Sequence, residues 1–91
     1  MTRSRTSSDV ELLVALDRRA PEPLHRQLEA NLRSGVREGR YASGTILPST
    51  RALAGQLGVS RGIVVEAYEQ LVAEGYLEAR PGASVFDADP V

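Results

Sequence analysis

The sequence predicts a mainly α-helical single domain that ends in a small β-hairpin, on three observations. Its 91 residues, 42% of them hydrophobic and 25% charged, supply one core and leave no room for two. Apolar residues recur at helical spacing in three separate stretches between Leu24 and Glu74. Beyond Gly75, two short alternating runs flank the turn pair Pro81-Gly82.

Met1 to Asp9 is polar, rich in Ser, Thr and Arg and without periodicity, which reads as a flexible tail over residues 1–9. Residues 10–19 form an N-terminal extension in which Leu12, Val14 and Leu16 alternate with Leu13 and Ala15, a period of two that predicts a short strand. Ala20, Pro21, Glu22 and Pro23 then break the chain. Leu24, Leu28, Leu32 and Val36 make one helical stripe, with Gln27, Glu29, Arg33 and Arg37 mostly off it, and Gly39 stands where a C′ glycine ends a helix. Thr45, Ile46 and Leu47, between Gly44 and Pro48, have length for only a very short strand. Ser49 fits the N-cap of a second helix carrying Leu53, Ala54 and Leu57. Gly58 interrupts it, and Ser60 fits the N-cap of a third helix, with Val64, Tyr68, Leu71 and Val72 on one face and Gly75 at its end. Tyr76–Arg80 and Ser84–Phe86 complete the hairpin, so the folded domain is expected over residues 20–87, with 88–91 beginning a linker.

Three helices followed by a hairpin, the second and third helices joined by a short glycine-containing turn, is the element order of a winged helix-turn-helix. The spacing Ala54, Gly58, Val64 suits that motif. A small residue lets the two helices cross closely, glycine accepts the turn, and a branched apolar side chain fills the angle between them.

Composition excludes several other functions. There is no Cys and a single His, so neither a disulfide framework nor a zinc site with the usual ligands can form. All 11 basic residues are Arg, and without a lysine amine the chain cannot hold pyridoxal phosphate covalently. His25 has no Ser or Asp around it in triad order and reads as a surface or half-buried side chain, so no enzyme is expected. The longest apolar run, Leu12 to Leu16, is far short of the ~20 residues a bilayer requires, so no membrane association is expected and the reading is cytoplasmic.

A net charge of −1 looks wrong for a nucleic-acid binder until it is divided along the chain. Residues 40–65 hold Arg40, Arg51 and Arg61 and no acid, whereas residues 66–91 set Arg80 against Glu66, Glu69, Glu74, Glu78, Asp87 and Asp89. Since affinity for DNA depends on local neutralisation of phosphates, the acid-free window is the candidate DNA face.

The runs Leu47-Pro48-Ser49-Thr50-Arg51-Ala52-Leu53-Ala54, Leu57-Gly58-Val59-Ser60-Arg61, Glu66-Ala67-Tyr68-Glu69-Gln70-Leu71 and Ala73-Glu74-Gly75-Tyr76-Leu77 resemble the DNA-binding domain of GntR-family bacterial transcription regulators. The resemblance covers about residues 23–87. Ala67-Tyr68, Leu16-Asp17-Arg18 and Pro23-Leu24-His25-Arg26-Gln27-Leu28 look most like the MocR subgroup, in which such a domain is joined by a linker to an aminotransferase-like domain that binds pyridoxal phosphate. On that resemblance no cofactor is expected in this chain, and pyridoxal phosphate is expected in a further, C-terminal domain.

The resemblance also implies roles for single residues. Ser49 and Arg51, at the start of the second helix, are expected at phosphates, which suit both a helix N-terminus and a guanidinium fork. Ser60 and Arg61 open the recognition helix, and Arg61 is the first candidate to read a base, since guanidinium bridges guanine O6 and N7. Gly62 and Ile63 stand where many members of the family carry polar residues. Gly62 lets backbone approach the duplex, while Ile63 or Val65 either meets a thymine methyl or belongs to the core. In the wing, Gly82 and Arg80 are expected at the minor groove or at phosphate, although Ser84 stands where the family often has a second glycine. The expected partner is a double-stranded operator bound by two headpieces, the isolated chain being monomeric. The rival reading is a winged-helix protein-interaction module that uses the acidic C-terminal third.

Overall fold

The computed structural model describes residues 14–86. The expected tail (1–9), the beginning of the expected strand (through residue 13) and the expected linker (88–91) lie outside the described residues. Three helices, α1 (Leu24–Arg37), α2 (Thr50–Leu57) and α3 (Arg61–Glu74), precede two strands, β1 (Leu77–Arg80) and β2 (Ala83–Phe86).

The helices form where the apolar stripes place them. Leu28, Leu32 and Val36 of α1, Leu53 and Ala54 of α2, and Val64, Ala67 and Leu71 of α3 are all buried and make up most of the core. α1 ends at Glu38–Gly39, where Arg40 N–H donates to the Gly35 carbonyl and Gly39 N–H to the Val36 carbonyl, the paired bonds of a Schellman motif. α2 begins as expected: the Ser49 side chain accepts from Ala52 N–H at 3.0 Å. α3 begins at Ser60, whose backbone is extended as an N-cap's should be, but its hydroxyl makes no capping bond, so side-chain capping by Ser60 is not what starts this helix.

The turn between α2 and α3 depends on Gly58. Its φ of 69° is left-handed, a region costly for any residue with a Cβ, and it lets Val59 N–H bond the Ala54 carbonyl and reverse the chain within two residues.

β1 and β2 pair antiparallel, Leu77 opposite Phe86 and Arg80 opposite Ala83, around Pro81-Gly82. The expected strand at Thr45–Leu47 shrinks to a single bridge, Ile46 to Val85. Three bonds still tie that segment to β2: Leu47 N–H to the Ser84 carbonyl, Phe86 N–H to the Thr45 carbonyl and Gly44 N–H to the Phe86 carbonyl. Pro48, which lacks an N–H, ends the pairing there.

The described part of the strand expected at residues 12–16, from Val14 on, is irregular and not a strand. Val14 and Leu16 instead pack singly against the core, which explains an alternating pattern without a sheet neighbour. Tyr41 stacks on Phe86, ring centroids 4.4 Å apart and planes within 10°. Gly35 makes room for it, since a Cβ there would lie 2.1 Å from Tyr41 Cε2.

Candidate nucleic-acid interface

Arg61, the first residue of α3, is exposed, and its Nε donates to Thr50 Oγ1 at 3.1 Å. Among the described residues it forms no ion pair, so both terminal nitrogens of the guanidinium remain free to bind. Thr50 is the first residue of α2, so this bond joins the N-terminal ends of the two helices of the turn motif. Arg51 is also exposed and likewise has no carboxylate partner among the described residues.

Tyr68 holds the segment that leads into α2. Its hydroxyl donates to the Pro48 carbonyl at 2.7 Å from within the core, and burial pushes its pKa up, so the phenol stays a donor. Ser49, Pro48 and Thr50 line one side of a groove whose other side is Gly82, Ala83 and Ser84 of the wing. The structure thus brings Ser49 and Gly82 to one concave surface, with Arg61 joined to it through Thr50.

Four other expected residues fall less simply. Gly62 is exposed, with only the Ser60 hydroxyl, at 3.9 Å, near where a side chain would start. Ile63 is half-buried. Arg80 is exposed but pairs with Glu78 on its own strand at 3.1 Å, which offsets its charge. Val65 lines a shallow apolar hollow with Val72 and Ala79 rather than the groove.

Two carboxylates of the acidic third, Glu66 and Glu74, approach α1. His25 bonds Glu29 at 3.0 Å through Nδ1 and approaches Glu66 at 3.7 Å through Nε2. Arg33 makes a two-pronged contact with Glu74, at 3.0 and 3.1 Å. The Gln70 amide and the Arg33 guanidinium hold the Glu74 carboxyl below its usual pKa, partial burial working against them. These groups form a polar seam between α1 and α3, on a different flank of α3 from Arg61.

Sequence reasoning placed Tyr68 on the apolar face of the third helix but missed the bond its hydroxyl makes, and it assigned no role to Thr50, Gln27 or Arg18. Thr50, Tyr68 and Arg18 each act through one hydrogen bond to a residue distant in sequence, and Gln27 through three to the segment before α1, none of which helical periodicity encodes. Gln27, off the apolar stripe, is nevertheless buried. It accepts from Asp17 N–H at 2.8 Å and donates to the carbonyls of Asp17 and Glu22 at 3.0 and 2.8 Å. Arg18 reaches across to donate to the Gly58 carbonyl. The only early sign was that both residues fall within the subgroup-like runs.

Comparison with known proteins agrees with this geometry. The profile "Bacterial regulatory proteins, gntR family" matches residues 24–86. The probable rhizopine catabolism regulatory protein MocR of Rhizobium meliloti is 46% identical over 76 residues, covering 84% of this chain and 15% of its own length. The chain therefore spans only a small part of that relative. Among solved structures, the GntR-family transcription factor YtrA from Sulfolobus acidocaldarius superposes with a TM-score of 0.80 at 29% identity, covering 82% of this chain and 80% of the other. The DNA-binding domain of AraR in complex with operator ORE1 superposes with a TM-score of 0.67 at 25% identity, covering 85% and 98%.

Proposed function

The chain belongs to the gntR family of bacterial regulatory proteins, and from that premise we propose that its winged helix binds double-stranded operator DNA as the headpiece of a MocR-like transcription regulator. The observation that carries this reading is the exposed guanidinium of Arg61 at the N-terminal end of α3, bonded only through Nε to Thr50 and paired with no carboxylate among the described residues. In helix-turn-helix proteins that end of the recognition helix enters the major groove. A structural neighbour was solved on its operator, which supports the same mode of docking here.

In this reading Arg61 reads a base and Ser60 and Gly62 line the approach. Ile63, half-buried, offers its exposed edge to a thymine methyl. Ser49 and Arg51 bind phosphate at the start of α2, where orphan backbone N–H groups point outward. Gly82 at the wing lies against the duplex, and Arg80, already paired with Glu78, contributes less. Two headpieces bind together, because one recognition helix reads too few base pairs for useful specificity, and the protein works in the cytoplasm where its operator is. No residue of this chain fits pyridoxal phosphate, which needs a lysine amine; in this reading the cofactor belongs to a further domain of the regulator. The rival reading, a protein-interaction module on the acidic third, is left with fewer free carboxylates than the sequence suggests, since Glu74 is held by Arg33 and Glu78 by Arg80.

Fluorescence anisotropy with a random-sequence duplex at low salt tests the proposal. Binding that weakens steeply as salt rises is expected. No binding at any salt would refute it.

A further inference from the structure

We propose that Arg18, outside the family-matched segment 24–86, is an additional DNA-phosphate contact, delivered to the helix-turn-helix by the N-terminal extension. This rests on the DNA-binding reading above. The extension is mounted rather than draped. Buried Gln27 uses its amide oxygen and both amide hydrogens to hold Asp17 and Glu22, the residues on either side of the turn that carries Arg18. Ala20 N–H closes that turn on the Asp17 carbonyl at 3.2 Å, and Val14 and Leu16 anchor the strand of chain before it.

The product of this mounting is a fixed cation. Arg18 donates through Nη2 to the Gly58 carbonyl, and Gly58 stands two residues before Ser60, within about 8 Å of the recognition-helix start along the chain. Gly58 is exposed, so water would satisfy its carbonyl equally well, and the contact is not needed to rescue a buried polar group. What it does is hold a guanidinium still. Among the described residues no carboxylate pairs with Arg18; the neighbouring Asp17 carboxylate accepts from Arg19 N–H at 2.9 Å instead. With one of its five donors on Gly58, the fork retains the donors that a phosphate oxygen accepts, at the turn that flanks Arg61. Pre-fixing the side chain removes entropy that would otherwise be lost on binding.

The test compares the 91-residue chain with R18A, R18Q and R19A, using a random-sequence duplex across about 50 to 200 mM salt, with a thermal melt of each variant alongside. Loss of one phosphate contact lowers the slope of log K against log salt by about 0.9, so across that range R18A and R18Q lose about three- to fourfold less affinity than the wild type. R19A, whose guanidinium is not held at the turn, keeps the wild-type slope. An unchanged slope in R18A and R18Q, whatever their melting temperatures, would overturn the inference and leave Arg18 a purely structural tie. Equal slope losses in R18A and R19A would also overturn it, showing diffuse charge rather than a site. A wild type without salt-dependent binding would instead fail the underlying DNA reading.

Discussion

At the first turn of α3 the helix dipole disfavours a cation, yet Arg61 stands there, exposed and tied only by Nε to Thr50. An approaching polyanion reverses that penalty, so the residue's local cost becomes a gain on binding. R61A is expected to weaken binding to the preferred sequence by about 1–3 kcal/mol and to flatten discrimination between sequences, as read by competition titration. R51A, by contrast, should weaken all duplexes alike and lower the salt slope by about 1. The roles proposed for Ser49, Arg51, Ser60 and Arg61 come from the family resemblance, which contiguous runs at two helix starts carry. The Thr50 oxygen that orients Arg61 was not, because its partner lies 11 residues away on another helix. Arg80 shows the opposite limit: its pairing with Glu78 depends on β1 placing both side chains on one face of the strand.

Among the elements, the three helices and the hairpin follow from spacing and punctuation, since each stripe is several residues long and the helix ends carry Pro23, Ser49, Ser60 or a glycine. The short alternating runs were less legible. Val14 and Leu16 alternate without a strand neighbour, and Thr45–Leu47 is cut to one bridge by Pro48. Alternation records one-sided burial, which an irregular segment achieves as well as a strand. Replacement of Gly58 by Ala should destabilise the domain by about 1–2 kcal/mol, because its left-handed φ would be imposed on a residue with a Cβ. G35A should cost about 1–3 kcal/mol by driving the Tyr41 ring off Phe86, a strain visible as a lowered midpoint in urea denaturation. The seam between α1 and α3 carries a pH dependence. Because Glu74 has a lowered pKa in the folded state, its contribution is present above the ordinary carboxylate pKa and is lost as pH falls through the lowered value. Thermal melts from neutral pH downward should therefore show a smaller acid-side loss in E74Q than in the wild type.

At the scale of the whole molecule, one core positions the proposed DNA face. Leu28, Leu71 and Phe86 come from α1, α3 and β2 and are all essentially inaccessible to solvent, so the wing and the recognition helix are braced by the same cluster. Truncating Leu71 to Ala should cost about 2–5 kcal/mol, a large part of what a domain of this size has to lose, and abolish DNA binding by unfolding rather than by local change. Charge is arranged at the same scale. Glu66 and Glu74 of α3 approach α1, while Arg51 and Arg61 have no carboxylate partner among the described residues, so a chain with net charge −1 still keeps two uncompensated guanidinium groups at the starts of α2 and α3. The most direct measurement of that arrangement is an NMR titration of the 15N-labelled chain with a short duplex at low salt, following backbone amides and arginine Nε signals. Shifts concentrated at residues 49–51, 60–63 and 80–82, with Arg61 Nε among the largest, are the predicted result. Shifts confined to the α1–α3 seam around His25 and Glu66, with Arg61 unmoved, would contradict it.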